Sequence, residues 1–408
     1  MTSSKLFPLP PDFFRCPPLK SKERNHLRRL GVSVCDQAVR YAQLENGPIQ
    51  WKHIASHRDV HIYRGKNETA PPHILTVASS MDVLGTLDEV AELYRAETHA
   101  EYAEFCKHFA KDLLDNSVLY TVTPSTPEHP RHYIGVKWHA LELGGPLMPR
   151  DFCFLESRCD FEFNGRPGWV RCLHSIDMPC CPSLEPSLGL LRGTYLRVSF
   201  SFVETNRPGY LRAMHLVQGD FRGSIPAWVV KFMATKRAKQ FGEIDAYLRR
   251  RRLARVTFPP TTFAVPTSER SRCFLCQRKY GAFGQKISCR KCGEVVCTGC
   301  SQTWSIPIDG VETRIKLCTA CAALSMETLE TKSSSVVSTT EQDVSKEIDK
   351  GGGDTEPWED HDIESTGECT PPIQLGDDES LLGLSSENLF VLSHPDFYEG
   401  PIVLNSPT

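Results

Sequence analysis

Eight of the chain's seventeen cysteines fall into four Cys-x2-Cys pairs between Cys273 and Cys321, spaced C-x2-C-x12-C-x2-C-x4-C-x2-C-x17-C-x2-C. Each pair can bend its backbone so that two thiolates take adjacent corners of a tetrahedral zinc site. Four pairs supply two closed four-cysteine sites with no ligand over, so two structural zinc ions are expected, held by Cys273, Cys276, Cys289, Cys292, Cys297, Cys300, Cys318 and Cys321. A closed all-thiolate site leaves no position for substrate or water, and a segment this short depends on the metal for its fold. Four thiolates leave about −2 on each site, which offsets much of the local basic charge.

The remaining sequence bounds the context. The formal charge of −3 averages over a strong polarity: from Ser325 onward there are 19 acids against 3 bases, and before it 44 bases against 31 acids. The N-terminal MTSSKLFPLPPDFF lacks the basic and apolar regions of a secretory signal, and no apolar run approaches the length of a membrane span. A reducing, cytoplasmic compartment is therefore expected, where clustered cysteines mean metal more often than disulfides. Composition divides the chain into a Pro-rich flexible segment (1–19), a mixed region (20–255), a linker (256–271), the cysteine-dense module (272–324) and an acidic tail (325–408) expected to be disordered.

The mixed region alternates. In Tyr195–Val203, Leu196, Val198, Phe200 and Phe202 share one face while Arg197, Ser199 and Ser201 take the other, which predicts a half-buried antiparallel strand. Gly-Arg-Pro-Gly at 165–168 and Asn-Arg-Pro-Gly at 206–209 mark hairpin turns. After Pro226, Val230, Met233, Phe241, Ile244 and Leu248 recur at helical spacing up to Arg249–Arg252, read as a solvated helix end that complements the helix dipole. The expected class is α+β: a curved antiparallel sheet with a long C-terminal helix, followed by the small two-zinc module.

The cysteine block resembles the FYVE zinc fingers in its x12 and x4 gaps, its Cys289-Arg290-Lys291-Cys292-Gly293 run and its Lys316-Leu317-Cys318. The resemblance implies interleaved ligands: Cys273, Cys276, Cys297 and Cys300 on one zinc, and Cys289, Cys292, Cys318 and Cys321 on the other. FYVE fingers bind phosphatidylinositol 3-phosphate through a basic motif that here reads Gln285-Lys286-Ile287-Ser288-Cys289-Arg290, without its histidines and first arginine, and the Trp-x-x-Asp before the first cysteine is missing. Lys286, Arg290 and Lys316 remain as headgroup cations, and Phe283 stands where such fingers carry a membrane-inserting loop. A RING module fits less well, because no histidine lies within 273–321.

Further words, Pro149-Arg150-Asp151-Phe152, Trp169-Val170-Arg171, His174 to Pro179, Leu191-Arg192-Gly193 and Gln218 to Trp228, together look like the START lipid-binding domains, from about Met148 to Leu248 and more weakly back to Lys20. That resemblance implies a helix-grip fold whose last helix lids a tunnel for one lipid, with no chemistry done there. Acidic and basic tunnel positions of some START domains correspond here to Lys137 and Glu156 with the signs exchanged, and these are expected to pair and orient a polar lipid head. His174, His215 and Asp177 have no nucleophile elbow or paired-carboxylate motif beside them, so no enzyme is expected. The expected partners are a lipid and a peripheral membrane surface, which the resemblance to FYVE fingers implies is endosomal, and not nucleic acid, since no strong basic stripe remains. The rival reading is an adaptor with a vestigial tunnel whose finger binds a protein such as a small GTPase.

Overall fold

The computed structural model describes residues 7–67, 70–71, 73–144, 147–223, 225–281, 284–308, 311–323 and 402–404. Nine strands form one antiparallel path in the order β1-β2-β3-β10-β9-β7-β6-β5-β4. They are β1 (Gln50–His57), β2 (Val60–Lys66), β3 (Leu75–Leu84), β4 (Leu113–Thr123), β5 (Tyr133–Leu141), β6 (Arg150–Phe163), β7 (Arg166–Ser175), β9 (Thr194–Glu204) and β10 (Tyr210–Asp220). Two short strands, β8 (Leu191–Arg192) and β15 (Ile402–Leu404), run parallel to β6. The helices are α1 (Ser21–Tyr41), α2 (Leu87–Leu93), α3 (His99–Phe109), α4 (Glu185–Leu188), α5 (Ala227–Ala254) and α6 (Thr319–Ala323).

Both faces of the sheet are covered. Helix α1 buries Leu27, Gly31, Val34, Cys35, Ala38 and Val39 against β6, β7 and β9. A Cβ on Gly31 would sit 2.9 Å from Ile134 Cδ1, so the glycine sets how closely α1 approaches β5. The opposite face packs on α2, α3 and α5, where Trp169, Phe202, Phe241, Ile244 and Leu248 belong to one buried cluster. Of the Pro-rich start, Phe7, Leu9, Phe14, Cys16 and Leu19 pack beside Trp138 and Leu155.

Strand β9 differs from its pattern in two ways. Its Arg197, Ser199 and Ser201 are buried, because α1 lies over them. Arg197 donates to Gln218 Oε1 at 2.8 Å and Gln37 Oε1 at 3.1 Å, and its guanidinium stacks 3.7 Å from the Tyr41 ring. The pairing with β10 also skips Leu196, and this bulge lets Tyr195 join Val198 in the inner cluster.

The sequence words that suggested a lipid-binding domain meet at the start of β6. Arg192 bonds Asp151 Oδ2 through Nε at 3.0 Å and Nη2 at 2.8 Å, while Trp138 Nε1 donates to the same oxygen at 2.8 Å. Gly193 lies under Phe152, whose ring a Cβ would meet at 2.3 Å. Arg150 Nε donates to Phe221 O at 2.7 Å and Nη2 to Arg222 O at 3.0 Å, which ties β6 to the loop entering α5.

The arginines ending α5 are paired with carboxylates rather than free in solvent. Arg249 meets Asp245 at 2.7 Å, Arg250 meets Glu312 at 2.7 Å, and Arg251 approaches Glu92 at 3.8 Å. Arg252 grips both oxygens of Glu89 at 2.6 Å. One residue further, Leu253 is fully buried in the core of the cysteine module. That module consists of the hairpins β11 (Lys286–Ser288) with β12 (Val295–Cys297) and β13 (Ser301–Ile308) with β14 (Val311–Cys318), closed by α6. The stretch expected as a linker lies along it: Phe258 joins its apolar cluster, and Val265 N donates to Gly293 O at 3.0 Å. Apart from 402–404, the acidic tail lies outside the described residues, as does Phe283.

Candidate metal centre and lipid grip

The cysteine module brings its eight thiols into two groups: Cys273, Cys276, Cys297 and Cys300, and Cys289, Cys292, Cys318 and Cys321. Within each group every Sγ lies within 4.8 Å of the others, with Cys276–Cys297 at 3.8 Å and Cys292–Cys318 at 4.0 Å. A Zn–S bond of 2.3 Å in a tetrahedron demands about 3.8 Å between sulfurs, so both groups fit zinc. Backbone N–H groups point at the sulfurs, from Cys297 to Cys273 at 3.3 Å and from Cys318 to Cys289 at 3.2 Å. Burial raises the Cys273 thiol, but N–H donors from Cys276, Cys297 and Leu275 outweigh it and bring the thiol down to about 6. Such donors stabilise the thiolate form that a metal requires.

The three finger cations are neighbours on this module. Arg290 N donates to Lys316 O at 2.9 Å. The Lys286 ammonium donates to Thr267 O at 2.8 Å, and the Arg290 guanidinium to Pro259 O. Lys316 is exposed on β14.

In the large domain, Lys137 on β5 and Glu156 on β6 form an ion pair of 3.0 Å with both side chains fully buried. Two arginines not assigned to this pair in the sequence analysis complete the group. Arg171 on β7 reaches the same Oε2 at 2.8 Å, and Arg158 Nε stands 3.4 Å from Oε1. Glu97 takes the far side of Arg158 at 3.1 Å. Burial pushes the Glu156 carboxyl up, but Arg171, Lys137 and Arg158 more than reverse this and hold it well below the usual carboxylate range. Burial, reinforced by the two arginines, lowers Lys137 to about 8 against the pull of Glu156. Both arginines were legible in principle: Arg158 is in phase with Phe152 and Phe154 on β6, and Arg171 with Trp169 and Leu173 on β7.

Two histidines line the same side. His139 sits between the hydroxyls of Tyr102 and Tyr195, each at 2.9 Å, and His215 stacks on Phe200 with centroids 4.2 Å apart. His174 instead meets Leu196 O at 2.8 Å. Burial, then Arg237 and Arg171, lower both His139 and His215 to about 3 from an ordinary 6.5. Between those values the unfolded chain binds protons that the folded chain does not, so stability falls as pH drops from about 6.5 towards 3. The limiting slope for two such groups is about 2.7 kcal/mol per pH unit. Urea melts at pH 7, 6 and 5 should show this loss, and the double variant His139→Gln, His215→Phe should flatten it; an equal slope in the variant would refute the assignment.

Beside its apolar packing, an ion-pair latch ties the N-terminal half of α5 to Asp112. Arg237 Nη2 lies 2.8 Å from Asp112 and Lys236 Nζ 3.9 Å from it. The depression lined by Asp112, Glu142, Leu143, Phe232, Met233, Lys236 and Arg237 has a volume of about 10 Å³, room for roughly one water. Phe232 at its rim and Trp228, one turn earlier, stand 58% and 68% exposed beside exposed Lys231. Sequence reasoning missed this pair, whose signal was two large rings at i, i+4 off the apolar stripe of α5. No helix among the described residues is long and apolar enough to cross a membrane.

Comparison with known families finds a START domain over residues 118–244 and a FYVE zinc finger over 264–327. The curated proteins contain no match. Among solved structures, the chain is similar to human StAR-related lipid transfer protein 5, with 14% identity over 55% of this chain and 97% of that one, at a TM-score of 0.44. It is also similar to the lipid transfer and protein localization domain of human StarD13, with 14% identity over 57% and 98% at 0.37. A STAR-related lipid transfer protein fragment from Xanthomonas axonopodis matches with 12% identity over 49% and 98% at 0.36. The two family matches support lipid binding and membrane targeting, and the two thiol quartets suit the two zinc ions of a FYVE finger. The chain thus carries a START domain followed by a FYVE zinc finger.

Proposed function

We propose that this chain is a non-enzymatic cytoplasmic lipid carrier or sensor. One lipid is held between the sheet and α5 (domain bounds 20–255), and the finger (272–324) recruits the chain to membranes, endosomal ones in particular. The observation that carries this reading is the buried Lys137–Glu156–Arg171–Arg158 group on the sheet face that α5 covers. Among the described residues, several of its polar atoms, including Arg158 Nε and Arg171 Nε, and the neighbouring Tyr133 hydroxyl, find no hydrogen-bond partner. A polar lipid head supplies the missing acceptors, and buried polar groups are seldom left without them. Access requires release of the Arg237–Asp112 latch, and Trp228 and Phe232 give that end of α5 an apolar contact with a bilayer while Lys231 meets anionic headgroups.

One observation favours the adaptor reading instead. Side chains of this chain fill much of the grip, with Phe152 and Tyr195 stacked at 3.9 Å and Tyr94 5.0 Å from Phe200. A closed grip would leave the finger to bind a protein such as a small GTPase. Native mass spectrometry of the purified chain decides between the two. Two zinc ions plus one co-purified lipid is the expected result; two zinc ions and an empty chain, still empty after incubation with mixed liposomes, would favour the adaptor.

A further inference from the structure

The stretch between the two domains begins as a direct continuation of α5. Val256 N donates to Leu253 O at 3.2 Å, Phe263 N to Pro260 O at 3.0 Å, and Val265 N to Gly293 O at 3.0 Å. It therefore runs from the lid helix onto the finger, and it ends on the finger's cations. The Arg290 guanidinium donates to Pro259 O and lies 5.7 Å from the Phe258 ring, while Lys286 donates to Thr267 O. Elsewhere on the finger Arg270 meets Glu294 at 2.8 Å, while Arg272 donates to the Gln277 carbonyl at 3.0 Å. Among the described residues none of Lys286, Arg290 and Lys316 has a carboxylate partner. Two of the three cations are thus capped by neutral carbonyls of the chain itself. A phosphate dianion makes charge-assisted hydrogen bonds roughly twice as strong as those to neutral acceptors, so it can displace such a cap.

We propose that residues Phe258 to Thr267 are an internal competitor for a phosphomonoester lipid headgroup, and that headgroup capture lifts this segment and frees the end of α5. This rests on the reading of Lys286, Arg290 and Lys316 as the headgroup site and adds the control on it. Because the segment joins α5 directly, the coupling is reciprocal: whatever opens the lid end also raises headgroup affinity. Delivery of the finger to its membrane and loosening of the grip become one event.

The test uses the full zinc-loaded chain with phosphatidylcholine vesicles containing either phosphatidylinositol 3-phosphate or unphosphorylated phosphatidylinositol. Phe258→Ala, which removes the ring that holds the segment down, should tighten binding to the phosphorylated vesicles by at least about fivefold, the lower end of common coupling factors. In the unaltered chain, hydrogen exchange at Val256, Phe263 and Val265 should accelerate on those vesicles and not on the others. Native mass must show both zinc ions in the variant; if it does not, Pro259→Gly replaces it. Selective vesicle binding with equal affinity in the variant and undiminished amide protection would overturn the competitor while leaving the headgroup site intact. Absence of any preference in both proteins would remove the site and the competitor together. Equal deprotection by soluble inositol 1,3-bisphosphate at matched occupancy would overturn the membrane as the source of the phosphate.

Discussion

Stripping the metal from the full chain with a strong chelator is expected to unfold residues Cys273 to Cys321 and leave the large sheet folded. The apolar interior of the finger is small: Ile287, Val296, Ile306, Ile315 and Leu317, with the cysteines among them. Two short hairpins and a five-residue helix cannot hold that arrangement without the metal. Structural zinc contributes apparent folding free energies of about 10–16 kcal/mol at neutral pH, larger than the whole stability of most domains. The ligands are interleaved along the chain, since Cys297 and Cys300 of one group fall between Cys292 and Cys318 of the other. Loss of one group therefore removes the constraint on both. Hydrogen exchange should show β11 to β14 losing protection at once, with metal content falling by two equivalents. The last turn of α5 should follow in part, because Leu253 is buried in the finger and Arg250 pairs with Glu312 there. The sheet amides of β5, β6 and β7 should keep their protection. Persistent protection of β11 to β14 in metal-free protein would show that the fold does not depend on zinc.

The module most legible in the sequence is the one whose chemistry is set by spacing alone. Four Cys-x2-Cys pairs leave few other folds open, and nothing distant in the chain has to be known to read them. The helix-grip half was legible where a strand faces a core directly, as in Val198, Phe200 and Phe202. It was illegible where a distant element decides burial. Arg197, Ser199 and Ser201 read as solvent-facing until α1, some 160 positions away, covers them with Gln37 and Tyr41. The same holds for Arg249–Arg252, which resemble a solvated helix end until Glu89 and Glu92 of α2 and Glu312 of β14 reach them. Residues 256–271 have linker composition, but a finger this small draws Phe258 into its own interior. Lys137 and Glu156 could be placed on neighbouring strands from the family pattern; their net charge environment needs Arg158 and Arg171 as well, whose strand phase is legible but is shared with apolar core residues and so does not single them out.

That charge environment sets the expected result for Glu156→Gln. Among the described residues Glu156 is the one carboxylate that contacts Lys137, Arg158 and Arg171 together, and all four side chains are buried. Of these three cations Glu97 reaches Arg158, and it accepts from Ser125 besides. Amide replacement keeps the shape and leaves Lys137 and Arg171 without a counter-charge in a medium that cannot solvate them. Breaking a buried ion pair in this way costs about 3–5 kcal/mol. For a domain of this size that corresponds to a fall in Tm of about 6–20 °C. Lys137→Met should cost less, because Glu156 keeps two arginines and the removed ammonium is the member whose own burial penalty is least offset, as its depressed titration shows. The order is the discriminating feature: a surface-type pair would give two small and similar losses. Lipid occupancy separates structure from recognition. If the Lys137–Glu156 pair orients a headgroup, Lys137→Met, with Tm little changed, should still lose co-purified lipid in native mass spectra. Retained lipid in that variant would confine the pair to a structural role, and a Glu156→Gln protein as stable as the unaltered chain would refute the charge argument itself.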